Sequence, residues 1–411
     1  MKHNPFTSDI FTTTWLKHFN NSGPGISFDF LEKLLFVGHK IPKLYVNCGK
    51  THTKGINYAI DNSNIQDLKG KVLLIYDVPT YLNCQQDLDT NEIKTRKIRQ
   101  YPGFLIKLEN FKDLNDYINF TFKGKSRNKL KRDKKRLENC FDISYKIYYG
   151  EVPKEEYNAN FESFRKLLEK RFQNKGISNN NLNSEEWEFY YEVAYPMIQQ
   201  KKACLLVVRE GNRPISFMLN FLSEDKLFQF MMGFDIDYAK FNVGTTSIMK
   251  LVEWCLEKEV KILDFSKGYF DFKRRWGNLA YRFEYHVIYD QNSFYSKIMA
   301  YFIISYFQIK QFLRDKRLNE VLHRIKFQLK SKKTSILPGY TFHDPDKPIK
   351  KTLLKQIDLY QREKEFLKPS VCDFLYYNSE ALNNTTVFAI SGDPSRYLIV
   401  GKNTNKILKI N

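Results

Sequence analysis

Asp264 is the residue of this sequence best placed to do chemistry. It lies in an apolar run, Val260 to Phe265, and Ser266-Lys-Gly268 follows directly. A carboxylate at the end of a strand beside a cleft can act as a general base or orient an amine. In a plain loop the same residue would only cap a turn. Lys267 and Lys273 come next, and an ammonium group there could neutralise a phosphate or stabilise a developing oxyanion. An ordinary surface lysine is the alternative for each. Trp276-Gly277 offers a ring to stack on a sugar or to pack under a sheet, and Arg274 and Arg275 read as surface charges. Asp235 and Tyr238 follow another apolar run, Leu227 to Gly233. Asp235 is a candidate for substrate binding and Tyr238 for catalysis, with an aromatic loop anchor as the alternative for Tyr238. His286, in the strand-like run Tyr281 to Tyr289, reads as a core or edge histidine. No Ser-His-Asp spacing and no metal-ligand cluster stands out, so neither a hydrolase triad nor a bound metal is expected.

A second group of residues suits an anion. Phe234 to Val243 reads as a loop, and Gly244 precedes the helix Thr245 to Glu259. A helix start presents unpaired N–H groups and the positive end of its dipole. A glycine lets a ligand approach the backbone closely. Val243, Gly244, Thr245, Thr246 and Ser247 therefore read as a pyrophosphate cradle, with a bare turn or cap as the alternative.

These residues need a scaffold, and the order of elements supplies one. Ile143 to Tyr149 alternates like a strand. Tyr157 to Phe172 carries Phe161, Phe164, Leu167, Leu168 and Phe172 at helical spacing, and Glu185 to Gln199 is a second helix. Ala203 to Arg209 and Ile215 to Leu222 form a hairpin around Glu210-Gly211-Asn212, and Leu227 to Gly233 is the next strand. The helix after Gly244 and the strand Val260 to Phe265 complete the unit. Before it, Ser8 or Asp9 caps a short helix with Phe11, Trp15 and Leu16. Lys43 to Cys48, Val72 to Val78 and Phe104 to Leu108 read as strands. Lys123 to Leu137 is a helix with a thin apolar stripe, read either as a solvated face or as a surface for an anionic ligand. After it, a basic amphipathic helix runs from about Phe294 to Lys330. It suits core packing or domain bridging, with peripheral membrane contact as a minor alternative. A basic linker begins near Ser331, a helix is predicted over Lys351 to Phe366, and two or three short strands over Val387 to Ile410.

Four stretches, Phe161-Glu-Ser-Phe-Arg-Lys-Leu167, Gly211-Asn-Arg-Pro-Ile-Ser216, Gly233-Phe-Asp-Ile-Asp-Tyr238 with Gly244, and Leu263-Asp-Phe-Ser-Lys-Gly268 with Phe272-Lys-Arg-Arg-Trp-Gly277, carry a resemblance. In order and spacing they resemble the GNAT acyltransferase superfamily. Within it they are most similar to the cellulose-biosynthesis-type (CelD/BcsL-like) acetyltransferases, related to Fem-type aminoacyl transferases. The superfamily pattern at the cradle is Gln or Arg, two residues, Gly, one residue, then Gly or Ala. Phe241-Asn-Val-Gly244-Thr-Thr246 keeps only the first Gly.

The resemblance implies an α/β (α+β) fold of tandem GNAT-like halves, with central mixed sheets flanked by helices and a small C-terminal extension. It implies a degenerate structural or acceptor-binding half over residues 1–140 before the acyltransferase domain over 141–290; the residues themselves mark off the basic helix over 291–335 and an extension without an assigned role over 336–411. It also implies an acyl-CoA donor, most simply acetyl-CoA, held at Val243 to Ser247, with no metal. The acceptor would be a small molecule or glycan, such as an amino sugar or a cell-envelope precursor. Asp264, Tyr238 and Lys273 take the catalytic roles, Tyr238 as the acid that reprotonates the leaving thiolate. Asp235, Lys267 and Trp276 contact the acceptor. Two rivals remain: a Fem-type transferase drawing its acyl group from aminoacyl-tRNA, which is the one reading that brings in nucleic acid, and a noncatalytic binding module on a degenerate scaffold.

Composition agrees with a globular protein. Of 411 residues, 42% are hydrophobic and 27% charged. The net charge of +20 fits an anionic partner or plain solubility. Six scattered cysteines without a CxxC pair, and a polar N-terminus, make a reduced, cytoplasmic setting the expectation.

Overall fold

Apolar residues at helical spacing decide how the central helices pack. The computed structural model describes residues 3–61, 65–82, 91–316, 339–345 and 349–410. Its first stretch contains α1 (Asp9–Phe19), β1 (Leu31–Glu32), β2 (Phe36–Gly38), β3 (Leu44–Asn47), β4 (Ala59–Ile60), β5 (Val72–Pro79), β6 (Ile93–Lys107), α2 (Leu114–Thr121) and α3 (Gly124–Cys140). Next come β7 (Ile143–Tyr148), α4 (Lys154–Lys175), α5 (Ser184–Gln199), β8 (Ala203–Glu210), β9 (Arg213–Ser223) and β10 (Lys226–Phe234). They are followed by α6 (Val243–Glu257), β11 (Ile262–Lys267), α7 (Asp271–Trp276), β12 (Leu279–Asp290) and α8 (Phe294–Asp315). The last stretch holds β13 (Tyr340–His343), β14 (Leu354–Ile357), α9 (Lys368–Asn378), β15 (Thr386–Ile390), β16 (Asp393–Val400) and β17 (Asn405–Ile410).

One mixed sheet of ten strands runs in the order β2-β3-β5-β12-β6-β11-β10-β9-β8-β7. Its β8 and β9 strands are buried on both faces, which is why they read as continuous apolar runs rather than as alternating ones. Phe217, Phe221 and Phe228 belong to one core with side chains of α1, α4 and α5. Met218, Leu227, Leu263 and Phe265 belong to the opposite core, with α2, α3 and α6. Phe164 of α4 stacks on Phe217 at 5.1 Å. Burying such a ring contributes roughly 2–3 kcal/mol.

Helix α8 crosses β12 and β6 with Ala300, Ile303 and Phe307 inward, and Phe307 stacks on Tyr285 at 3.9 Å. The five-stranded antiparallel sheet β13-β17-β16-β15-β14 and α9 form the C-terminal unit. It docks on the second core through Tyr376 against Phe241 and through the Lys240–Asp373 ion pair.

The strand and helix expectations between residues 143 and 267 agree with the structure to within a few residues. Two others differ. Strand β6 begins at Ile93, not near Phe104, because Ile93, Thr95, Ile98 and Gln100 are buried although charged residues stand between them. The helix predicted over Lys351 to Phe366 is absent. Leu354–Ile357 pairs with β15 instead, and the helix lies at Lys368–Asn378. Cross-strand partners here override a weak helical propensity. The basic helix expected to reach Lys330 is described only as far as Asp315. Its continuation, the linker from Ser331 to residue 338, and Cys84 lie outside the described residues.

Candidate active site

Strands β10 and β11 are parallel neighbours over only three residue pairs, ending at Phe228 with Asp264. Beyond that point β10 continues to Phe234 and β11 to Lys267 without bonding each other. On its other side β11 bonds β6, with an irregularity between Asp264 and Lys267 where Ser266 takes φ +62°. Asp264 therefore stands at the head of an opening between two central strands.

Its carboxylate is fully buried. Tyr281 Oη donates to Oδ1 at 2.6 Å and to Oδ2 at 2.7 Å, Tyr81 Oη donates to Oδ2 at 2.8 Å, and Ser266 N–H donates to Oδ1 at 2.7 Å. Burial pushes the carboxyl up, and the four hydrogen bonds and Lys273 pull it back only in part, leaving it raised to about 6. The two tyrosines are held well above their ordinary value by burial and by the adjacent carboxylate.

Tyr281 reaches Asp264 because its cross-strand partner is Gly103. A Cβ at Gly103 would lie 2.2 Å from the tyrosine Cζ. Only a residue without a side chain leaves the ring that position.

Lysines surround the carboxylate. Lys273 is buried and donates to Lys267 O at 2.7 Å. Burial and the neighbouring Lys54 lower it to about 7, against the pull of Asp264. Lys267 forms an ion pair with the fully buried Asp77, which lies within the apolar strand β5 at φ +60°. Lys54 lies over the Phe230 ring at 4.8 Å and is lowered to about 8, first by burial and then by Lys267. His52 is lowered to about 4 by burial and by Lys54, so it is neutral at physiological pH and accepts from Trp15 Nε1 at 3.1 Å.

Of the residues singled out from the sequence, the structure brings Asp264, Lys267 and Lys273 together; Lys54, Asp77, Tyr81 and Tyr281, which join them, were not singled out. Asp77 carried the same signal as Asp264, an acid set within an apolar strand. Lys54 sits in a loop with no pattern to reveal it.

The predicted cradle is the start of α6. Asn242 precedes it in a left-handed conformation, and its Nδ2 donates to Asp133 of α3 at 2.6 Å. Thr245 and Thr246 N–H groups already bond Asn242 O, at 2.8 and 3.1 Å. The Ser247 hydroxyl turns inward to Ser216 and to Val243 O, each at 2.9 Å, so it does not face a ligand. The N–H groups of Val243 and Gly244 remain as the helix's free donors. A Cβ on Gly244 would lie 2.8 Å from Met232 Cε and 3.1 Å from the Phe234 ring. Over that ring lies the Arg171 guanidinium, at 4.2 Å, with Nε lacking a hydrogen-bond partner.

Three expected site residues stand elsewhere. Trp276 is wholly buried and packs on Tyr117 and Phe122, so its face is not open to a sugar. Asp235 is buried in ion pairs with Lys170 at 2.6 Å and Arg213 at 2.9 Å, anchoring the loop after β10. Tyr238 packs on Phe141 at 5.0 Å, and burial together with Cys372 and Glu210 raises it far above its ordinary value. None of the three shares a hydrogen bond with the Asp264 cluster. His286 is a core histidine, hydrogen-bonded to Tyr58 at 2.6 Å.

Among curated proteins none matches. Solved structures are similar at low identity. A conserved protein of unknown function from Bacteroides thetaiotaomicron VPI-5482 is 10% identical with TM-score 0.47, covering 70% of this chain and 91% of that one. L-PGS from Bacillus licheniformis is 14% identical with TM-score 0.42, covering 70% and 91%. FemX is 11% identical with TM-score 0.43, covering 67% and 90%. Residues 124–274, which run from the start of α3 through Asp264, Lys267 and Lys273, match the family described as Acetyltransferase (GNAT) domain.

Proposed function

We propose that this protein is an acyl-CoA-dependent N- or O-acyltransferase, transferring acetyl most simply, with an amino sugar, glycan or cell-envelope precursor as acceptor. The observation that carries this reading is the buried, tyrosine-held Asp264 at the point where β10 and β11 stop bonding each other. From Phe228 to the end of β10 is roughly 20 Å at about 3.3 Å per residue. An extended donor arm would run along that opening from the start of α6 to Asp264. The Val243 and Gly244 N–H groups and Arg171 suit its phosphates: the half-buried guanidinium donates to Met232 O at 3.5 Å while its Nε has no partner, and an anion would satisfy it.

Both Asp264 oxygens are occupied, so the acceptor would meet Tyr81 first. Tyr81 Oη takes the proton of the attacking amine or hydroxyl as it passes its own to Asp264. The acceptor bonds to the acyl carbon, and the thioester C–S bond breaks. In its ammonium form Lys273 stabilises the negative charge that develops. The excess of lysine over carboxylate around Asp264 suits an acceptor that carries an anionic group. The finer assignment to the cellulose-biosynthesis-type branch rests on the four sequence stretches described above.

Titration calorimetry with acetyl-CoA tests the donor, with Gly244→Trp as control. Heat of binding that the variant loses supports the reading. Absence of binding across acyl chain lengths removes it. One observation favours a second reading: Lys125, Lys129, Lys131, Arg132 and Lys135 are exposed along α3, a surface that an aminoacyl-tRNA donor would use. Salt-sensitive tRNA binding, without acyl-CoA turnover, would select it.

A further inference from the structure

Helix α8 is apolar on both sides, and among the described residues only one side packs on the rest of the protein. Ala300, Ile303 and Phe307 pack on the sheet. On the opposite side Phe294, Tyr301, Phe302, Tyr306, Ile309 and Phe312 are exposed, each by more than half of its surface. At 3.6 residues per turn these six fall on one stripe along a helix of 22 residues, about 33 Å long. Isolated exposed apolar residues need no explanation, but a continuous stripe of rings does.

Charge specifies the partner. No acidic residue occurs between Phe294 and Arg314. By helical angle Lys297 stands beyond the Tyr301 edge of the stripe and Lys310 beyond the Tyr306 edge, and Lys316 lies over the Phe312 ring at 5.9 Å. Rings in the middle and lysines at both margins match the layering of a bilayer surface, with acyl chains below and anionic headgroups above. Tyrosines belong at the headgroup level, where one end of the ring is apolar and the hydroxyl is wet. Among the described residues no helix is long and apolar enough to cross a membrane, so the arrangement is one of lying on the surface.

We propose that the outer face of α8 is a docking surface for an anionic lipid bilayer, with Phe294, Tyr301, Phe302 and Phe312 entering the headgroup boundary and Lys297 and Lys310 pairing with lipid phosphates. This face lies outside the acyl-transfer site, so the proposal stands independently of that function.

Flotation of the full chain with phosphatidylcholine vesicles, with and without phosphatidylglycerol, tests it. Binding is expected with the anionic vesicles and is expected to weaken with salt. The triple variant Tyr301→Ser/Phe302→Ser/Phe312→Ser should lose at least about tenfold in binding, since each buried ring contributes more than a kilocalorie. Lys297→Glu/Lys310→Glu should lose binding to the anionic vesicles while keeping the rings. All five side chains lie outside the core, and an unchanged thermal midpoint would confirm intact folding. Equal vesicle binding by wild type and triple variant overturns the proposal, and so does absence of vesicle binding. So does a concentration-dependent dimer, seen in sedimentation and abolished by the same three substitutions, without vesicle binding; a second copy would then be the occupant.

Discussion

Tyr281 lies over Gly103, its cross-strand partner, and from that position its hydroxyl bridges both oxygens of Asp264. The glycine belongs to the chain's first third and the carboxylate to its second half. Their coupling through one ring gives a direct test of whether Asp264 must be held. Gly103→Ala should push the ring aside, cost about 1–3 kcal/mol in urea unfolding and reduce turnover. Gly103→Ala/Tyr281→Leu should recover stability without recovering turnover. Equal activity of Gly103→Ala and wild type would show that Tyr281 does not matter to the reaction.

Asp264 sets the acid limb of the pH profile. It must be ionised to take a proton, so kcat/KM should rise with pH through about 6. Asp264→Asn should abolish that limb and lower the rate by about 10²–10⁴. A wild-type profile flat from pH 5 to pH 7 in order-of-magnitude terms, about a twofold change or less, would exclude the role.

The same group predicts the sign of a stability change. The folded protein keeps the Asp264 proton up to about 6, whereas an unfolded chain releases it near the ordinary 3.8. Between these values the native state binds more protons, so stability falls as pH rises through the window, by an amount of order 3 kcal/mol. Asp264→Asn should remove that fall. Urea midpoints below and above the window would show the variant equal to or more stable than wild type at the higher pH, although it is less active.

Lys273 predicts the opposite limb. Its ammonium form is the useful one, so activity should decline as pH rises through about 7. Lys54 bears on Lys273 as a like charge. Lys54→Met should therefore move that limb to higher pH, by up to about one unit. A shift to lower pH would contradict the arrangement.

Arg171 lies over the Phe234 ring, whose edge adjoins Gly244 of the predicted cradle, and it has no carboxylate partner in a described ion pair. Arg171→Met should weaken acyl-CoA binding by about tenfold, the scale of one charge-assisted contact, while leaving thermal stability nearly unchanged. Gly244→Ala should be milder than Gly244→Trp, because its Cβ would meet the movable end of Met232. Calorimetry on the three variants would check this ranking.

Much of this architecture was legible because local patterns and tertiary partners agree. The rings of α4, the hairpin β8–β9 and the glycine in the first turn of α6 each carry their structure in a few residues. Asp264 was visible for the same reason, as an acid closing a buried strand. The rest of the site was not, because it is assembled from distant parts of the chain. Tyr81 and Asp264 are 183 residues apart and the Asp77–Lys267 pair 190 apart. No spacing rule spans such distances. Trp276 stayed open between stacking and packing in the sequence because a Trp-Gly pair looks alike whether its ring faces a ligand or Tyr117. The helix expected over Lys351 to Phe366 failed because β15 offered Leu354 to Ile357 better partners than a helix could.

Strand β6 comes from the first third of the chain yet lies between β12 and β11, bonded to both. The fold is thereby interleaved, like two decks of cards shuffled once. Neither part can be exchanged for a homologous segment without tearing backbone ladders on both flanks of β6. Any graft that exchanges β6 would have to carry β12 and β11 with it to keep both ladders whole.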